Sequence, residues 1–157
     1  KFAPAIMDHA RAEGIEHFHM FGEVYEFDPA QLARFTLVDN FPTVLDFAFQ
    51  GTVRGVVANG DSVQNLDRLF AADVVYKGGF ETAMQLPTFL GNHDMGRFSM
   101  FVKEANPDMS DAELLARVRL AHGLMMFARG VPTIYYGDEQ GFVSDGGDRP
   151  ARENMFP

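Results

Sequence analysis

Apolar residues along this chain of 157 residues occur either in short continuous runs or at helical spacing. Four of the continuous runs cover residues 15–24, 42–49, 86–90 and 131–136, and they are rich in aromatic and branched side chains. Such runs are typical of buried strands. Helical material separates them, and this alternation predicts an α/β fold with a parallel sheet covered on both faces.

Capping residues predict where several helices begin and end. Apolar residues at helical spacing from Phe2 predict a first helix that ends at Gly14. Asp28 before Pro29 predicts a short helix with Asp28 as its N-cap. Residues 110–113 form a capping box that opens the clearest helix of the chain, which closes at residues 129–130.

One stretch gives a weaker helical pattern. Between Val53 and Phe70 small apolar and polar residues alternate, and Gly55 and Gly60 weaken any helix there. We therefore expect a helix only over residues 61–72.

Polar clusters fall at the carboxyl end of each predicted strand. These clusters are Glu23, Asp46, residues 92–94 and residues 138–139. Ligands bind at that edge in barrels and in doubly wound sheets. We therefore expect one active face.

Composition narrows the function classes. The chain has 13 basic and 22 acidic residues, a formal charge of −9, and no cysteine. This balance disfavours nucleic acid and anionic membranes as partners and excludes disulfides and thiolate metal sites. No apolar run approaches the roughly 20 residues that span a bilayer. Neither terminus carries an initiating or closing element, so residues 1–157 are expected to be part of a longer polypeptide.

Glu23 is the first candidate for catalysis. We expect it to be half-buried among Phe21, Tyr25 and Phe27, where desolvation raises a carboxyl pKa and lets the group donate a proton near neutral pH. The alternative is a structural salt bridge at a strand end.

The segment that follows Gly91 is the second candidate. Gly91 ends a strand, so His93 and Asp94 can both face a ligand together with Asn92. Arg97 lies one helical turn on. The alternatives are an ordinary capped histidine for His93 and a solvated charge for Arg97.

Other polar residues are interpreted as structural. Asp46 is expected to bond loop amides, and residues 138–139 are expected to form a turn with helix-cap chemistry. We expect the remaining histidines to be packed or solvated rather than functional: His9, His17, His19 and His122.

Residues 91–94 are also similar to the Gly-Asn-His-acid motif of calcineurin-like metallophosphoesterases. A metal pair needs further ligands upstream and downstream, and neither an Asp-x-His nor a Gly-His-x-His motif occurs. The metallophosphoesterase alternative is therefore remote.

Three motifs together resemble the α-amylase superfamily, glycoside hydrolase family 13. They are Phe-Gly-Glu-Val-Tyr at 21–25, Phe-Leu-Gly-Asn-His-Asp at 89–94 and the segment 130–139. Their order resembles the ends of barrel strands five, seven and eight, and residues 44–47 look like strand six. The resemblance implies that the chain is the second half, strands five to eight, of a TIM-type (β/α)8 barrel.

The resemblance also implies a retaining mechanism on α-glucans. Glu23 would be the general acid/base, and Asp94 would stabilise the oxocarbenium-like transition state. His93 would bind the sugar in the same subsite, and Asn92, Arg97 and Tyr25 would also contact substrate. In the loop after the last strand, Asp148 and Arg152 are further substrate-side candidates, with a solvated surface loop as the alternative.

The family's nucleophile motif, Gly-Phe-Arg-x-Asp, does not occur in this chain, nor does its earlier Asp-x-x-x-Asn-His motif. We therefore expect the isolated segment to be inactive and its parent to be active. No cofactor is expected, and calcium in the parent would bind outside this segment. Expected partners are an α-glucan or maltooligosaccharide and the remainder of the barrel. The rivals are a transglycosylase or isomerase on the same scaffold and a non-catalytic carbohydrate-binding relative.

Overall fold

The computed structural model describes residues 1–144 and 149–156. Within them the chain forms α-helices, two short 3-10 segments, one π-helical segment and four two-residue strands. The strands are β1 (Phe21–Gly22), β2 (Thr43–Val44), β3 (Pro87–Thr88) and β4 (Val131–Pro132). The α-helices are α1 (Phe2–Ala12), α2 (Pro29–Leu37), α3 (Phe47–Val53), α4 (Gln64–Ala71), α5 (Phe80–Ala83), α6 (Phe98–Ala105) and α7 (Asp111–Phe127).

The strands pair in parallel, as the sequence predicts. β1 pairs with β2 through Phe21 opposite Thr43, and β3 pairs with β4 through Pro87 opposite Val131. The backbone N–H of Asp46 donates to the carbonyl of Pro87 at 3.0 Å and so links the two pairs. The strands thus form two parallel two-stranded sheets, β1–β2 and β3–β4, with helices between the strands along the chain.

The strands are much shorter than the apolar runs that predicted them. The run at 42–49 contains both β2 and the start of α3, which is capped by the Asp46 side chain through the N–H of Phe49. A short apolar run indicates that a segment is buried, but it does not show whether that segment is a strand or a helix. Residues 15–20 lie outside any strand and are largely exposed.

Helix predictions hold where capping residues supported them. The Asp28 side chain caps α2, and Ser110 and Glu113 form the expected capping box at α7. The prediction was wrong at residues 47–58, where α3 continues into a π-helical turn, Arg54–Ala58. Gly55 is buried there, so tertiary packing compensates for its low helix propensity.

The core lies between the strands and the helices that cover them. It includes Leu32, Phe49, Leu86, Phe98 and Met125, each almost fully buried. Helix α7 contributes Ala121 and Met125 to this core, while Leu120 and Phe127 on the same helix are exposed. Helix α7 is therefore apolar on both its buried and its exposed sides. No helix in the described part of the chain is long and apolar enough to cross a membrane.

Candidate active site

One cavity collects residues that follow all four strands. It has a volume of about 300 Å³, and its wall includes Glu23 after β1, Leu45 after β2, His93 after β3 and Ile134 after β4. Because parallel strands present their carboxyl ends at one edge, these positions converge although they are far apart in sequence. Positions that follow all four strands therefore line a single concave surface.

Glu23 lines this cavity, but it is exposed rather than half-buried. The prediction that Glu23 is half-buried is wrong, because two of its aromatic neighbours pack elsewhere. Tyr25 and Phe27 contact each other and Phe47. Among the described residues, no ion pair includes Glu23, so the salt-bridge alternative finds no support.

The segment after β3 is held in a tight turn by Asn92. Its Oδ1 accepts hydrogen bonds from the backbone N–H groups of Asp94 at 3.0 Å and Met95 at 2.8 Å. The backbones of Asn92 and Gly96 also exchange two hydrogen bonds. A Cβ on Gly91 would lie 2.4 Å from the Gly96 carbonyl oxygen, so this turn requires glycine there. Asn92 thus shapes the turn and also lines the cavity.

This turn presents His93 and Asp94 to solvent. The Nε2 atom of His93 lies 3.3 Å from Oδ1 of Asp94, and the two side chains are 43% and 52% exposed. An Nη atom of Arg152 lies 3.9 Å from the same carboxylate. The structure thus brings together His93, Asp94 and Arg152, three of the predicted site residues, beside the cavity that Glu23 lines.

Tyr25 lies on an aromatic row next to the cavity rather than on the cavity wall. The row runs through Tyr25, Phe27, Phe47 and Phe89, with edge-on ring contacts at centroid separations of 4.9 to 5.8 Å. Phe89 belongs to the cavity wall, and Tyr25 is 68% exposed. Substrate contact by Tyr25 stays a prediction.

Arg97 has a different role from either of those expected, and the prediction that it contacts substrate is wrong. Its side chain is 0% exposed and donates to Oε2 of Glu153 at 2.9 Å and to Oδ1 of Asp138 at 2.7 Å. It also donates to the carbonyl of Tyr136 at 2.8 Å. All these partners belong to the segment after β4, so Arg97 anchors that segment to the end of the β3 turn.

Asp138 is therefore a scaffold residue, as the sequence predicts. Burial raises the pKa of its carboxyl, and the Arg97 guanidinium offsets part of that effect. His122 on α7 faces the second oxygen of this carboxyl at 3.9 Å.

A second buried charged cluster was missed from the sequence. Arg129 forms ion pairs with Asp46 and Asp73, and all three residues are buried. Burial raises the pKa of the Asp46 carboxyl, although Arg129 acts in the opposite direction. The structural role predicted for Asp46 is confirmed. An aspartate inside an apolar run was the available signal, but nothing local identified Arg129 as its partner.

Asp148 lies outside the described residues. Among residues 1–144 and 149–156, no group of three or more His, Asp or Glu side chains is arranged to hold a metal ion.

The model of the α-amylase catalytic domain matches residues 2–154. This chain belongs to the α-amylase catalytic-domain family. The match decides against the metallophosphoesterase alternative. The chain is 44% identical over 156 residues to an α-amylase from Streptomyces lividans, covering 99% of this chain and 17% of that protein. It is also 32% identical over 113 residues to a cyclomaltodextrin glucanotransferase from Bacillus sp. strain 1-1, covering 72% of this chain and 14% of that one.

Solved structures agree with this family. An Anoxybacillus α-amylase superposes with a TM-score of 0.77 at 25% identity, covering 94% of this chain and 30% of that one. The cyclomaltodextrin glucanotransferase CldA superposes with a TM-score of 0.73 at 28% identity, covering 95% of this chain and 29% of that one. The chain thus spans less than a third of each of these relatives, and its fold is that of part of an α-amylase catalytic domain.

Proposed function

We propose that this chain supplies the acid/base half of the active site in a retaining glycoside hydrolase that cleaves α-glucosidic bonds. The observation that carries the proposal is the shared cavity of Glu23 and His93, with Asp94 paired to His93 at 3.3 Å. Membership of the α-amylase family supports an α-glucan as the substrate.

In the first step Glu23 donates its proton to the glycosidic oxygen as the bond to the anomeric carbon breaks, and that carbon forms a bond to a nucleophilic carboxylate, which leaves again when water attacks. In the second step its carboxylate takes a proton from the attacking water, which returns Glu23 to the acid form. Asp94 accepts hydrogen bonds from sugar hydroxyls and stabilises the positive charge that develops on the ring. His93 orients the Asp94 carboxylate and donates to a neighbouring hydroxyl. Proton transfer of this kind needs no cofactor, and we propose none for this part of the site.

A retaining mechanism also needs a nucleophilic carboxylate about 5 to 5.5 Å from the acid. We propose that it belongs to barrel strands one to four, which lie outside this chain, and that residues 1–157 form strands five to eight with the helices before and between them. Exposed apolar side chains on α7, with Phe127 93% exposed, support a covering partner of this kind. The isolated chain is then expected to be inactive, and turnover of maltooligosaccharides by residues 1–157 alone would contradict this.

The acid/base assignment is tested by Glu23→Gln in the complete polypeptide. We expect kcat on maltooligosaccharides to fall about 10²- to 10⁴-fold, because the amide cannot transfer the proton. The dissociation constant for maltoheptaose, measured calorimetrically, should stay close to that of the unaltered protein.

The matched control is Glu16→Gln, which makes the same change at an exposed position in the segment before β1. It should leave kcat unchanged. Near-normal turnover by Glu23→Gln would remove Glu23 from the mechanism.

Transglycosylation on the same scaffold is the second candidate, and the similarity to cyclomaltodextrin glucanotransferases favours it. There a sugar hydroxyl replaces water in the second step. Product analysis of the complete polypeptide separates the two: hydrolysis releases new reducing ends, whereas transfer yields cyclic or longer glucans. A non-catalytic binding role is disfavoured because Glu23 and Asp94 are both present beside one cavity.

A further inference from the structure

A second concave surface lies beyond the aromatic row. Two adjoining cavities of about 270 and 390 Å³ share Phe27, Ala48, Thr52 and Asn65 on their walls. Arg68 lines one of them and Asp61 the other. Together they form a groove between α3 and α4, which we call the α3–α4 groove. It is separate from the cavity that contains Glu23.

The groove offers unused polar groups beside an aromatic ring. Among the described residues, the Thr52 hydroxyl and the Asp61 carboxylate have no hydrogen-bond or ion-pair partner. Asn65 uses only its Oδ1 atom, which accepts from Arg68 at 3.2 Å. Phe27 is 40% exposed. Rings that stack on apolar sugar faces and side chains that bond hydroxyls are the combination that a glucan requires.

Close packing fixes two of these groups in place. A Cβ on Gly51 would lie 2.7 Å from the Phe27 ring, and a Cβ on Gly55 would lie 2.6 Å from the Asp61 carboxylate. Gly51 on α3 thus lets the Phe27 ring lie against this helix, and Gly55 in the π-helical turn that follows does the same for Asp61. A wall that is already positioned loses little entropy when a ligand binds.

The charges of the groove match a neutral ligand. Asp61 and Arg68 carry opposite charges, so the wall has no net charge although the whole chain carries −9. An anionic polymer would be repelled by Asp61, and a cationic polymer would be repelled by Arg68. A polyhydroxylated neutral chain can instead bond to both.

The aromatic row connects the groove to the candidate active site. Phe27 contacts Tyr25 at 5.3 Å and Phe47 at 5.8 Å, and Phe47 contacts Phe89 on the cavity wall at 4.9 Å. Phe47 and Phe89 are buried, so the exposed aromatic surface beside the groove comes from Tyr25, which is 68% exposed, and Phe27, which is 40% exposed.

We propose that the α3–α4 groove binds the distal part of the same α-glucan chain whose cleavage site lies at Glu23. The proposal rests on the proposed function and extends it: the enzyme prefers long glucans, because only a long chain reaches Thr52, Asp61 and Asn65 after passing Tyr25.

The test uses the double variant Asn65→Ala/Arg68→Ala in the complete polypeptide. We expect KM for amylose to rise about 30-fold, since two hydrogen-bonding side chains contribute roughly 1 kcal/mol each. On a chromogenic maltotrioside, which is too short to reach the groove, kcat/KM should change by less than about twofold, a change worth under 0.5 kcal/mol.

Helix α2 provides a matched control. Arg34 donates to Gln31 at 3.4 Å in the same i, i+3 arrangement that joins Arg68 to Asn65, and both α2 residues are exposed. The control Gln31→Ala/Arg34→Ala should leave the kinetics of both substrates unchanged. Should the Asn65/Arg68 variant fail to fold, Asp61→Asn removes the charge at constant size. It should also raise KM for amylose without changing kcat/KM for the maltotrioside.

The outcomes separate the two proposals. If the Asn65/Arg68 variant loses kcat/KM equally on both substrates, or loses none on amylose, the groove does not bind the glucan. The proposed glycosidase activity would be unaffected by either result. If the unaltered protein cleaves neither substrate, the proposed function itself fails.

Discussion

Charged residues in this domain form two kinds of cluster, one exposed and one buried. His93, Asp94 and Arg152 meet at a surface turn, with Asp94 52% exposed, beside the cavity that Glu23 lines. Arg129 with Asp46 and Asp73, and Arg97 with Asp138, are instead enclosed by the fold. The exposed cluster can reach a substrate, whereas the buried clusters hold segments of the chain together.

This difference shows what a perturbed pKa means here. Asp46 and Asp138 are carboxyls whose pKa is raised by burial, and both are held by arginine within the scaffold. Perturbed carboxyls often mark catalytic sites, but buried ion pairs perturb them as well. In this chain both carboxyls with a raised pKa, Asp46 and Asp138, have structural roles.

The largest effect on stability is expected at Arg129, in the buried cluster with Asp46 and Asp73. Replacing it in Arg129→Leu leaves two buried carboxylates without their counter-ion, and we expect a loss of about 3 to 5 kcal/mol in the free energy of unfolding. Thermal unfolding of the complete polypeptide measures this as a lower Tm. The control Arg11→Leu disrupts an exposed pair with Asp8 and should cost less than about 1 kcal/mol. Equal effects of the two variants would contradict the distinction between buried and exposed pairs.

Asp94→Asn tests the exposed cluster, where we expect a loss of activity without a loss of stability. We expect kcat on maltooligosaccharides to fall about 10²- to 10³-fold, because the amide cannot stabilise a developing positive charge. Tm should stay unchanged, since Asp94 is half-exposed. The control Asp8→Asn, at another exposed aspartate, should retain full activity. A large drop in Tm for Asp94→Asn would show that this cluster too is structural.

The smallest effect is expected at Glu113, an exposed carboxylate that caps α7 and has a structural role. Hydrogen bonds from Ser110 lower the pKa of Glu113, so the stability that Glu113 contributes is present above its ordinary pKa of 4.5 and is lost as pH falls through the lowered value. Ser110→Ala should lower stability by about 1 kcal/mol through loss of the cap and return the Glu113 pKa towards 4.5.

NMR titration of the Glu113 side chain measures this shift. A pKa that stays low in Ser110→Ala would mean that another group holds the carboxylate. The substitution Ser62→Ala, at an exposed serine that precedes α4, is the control and should leave the Glu113 pKa unchanged.

The sequence by itself determined the parallel order of the strands, the caps at Asp28 and Ser110, and the placement of polar residues after each strand. The caps depend on neighbours within a few positions along the chain, because capping chemistry is local, and the parallel order follows from the alternation of strands with helices. The family motifs at 21–25, 89–94 and 130–139 likewise could be read from sequence alone.

Only the tertiary structure decided which charges are buried. Arg97 and Glu153 are separated by 56 positions, and so are Arg129 and Asp73. The local sequence around Arg97 does not identify these partners, yet packing of the segment after β4 encloses its guanidinium completely. The exposure of Glu23 and the extent of α3 depended in the same way on what packs against them. The burial of a charged side chain depends on partners that are distant in sequence, and the local pattern does not identify those partners.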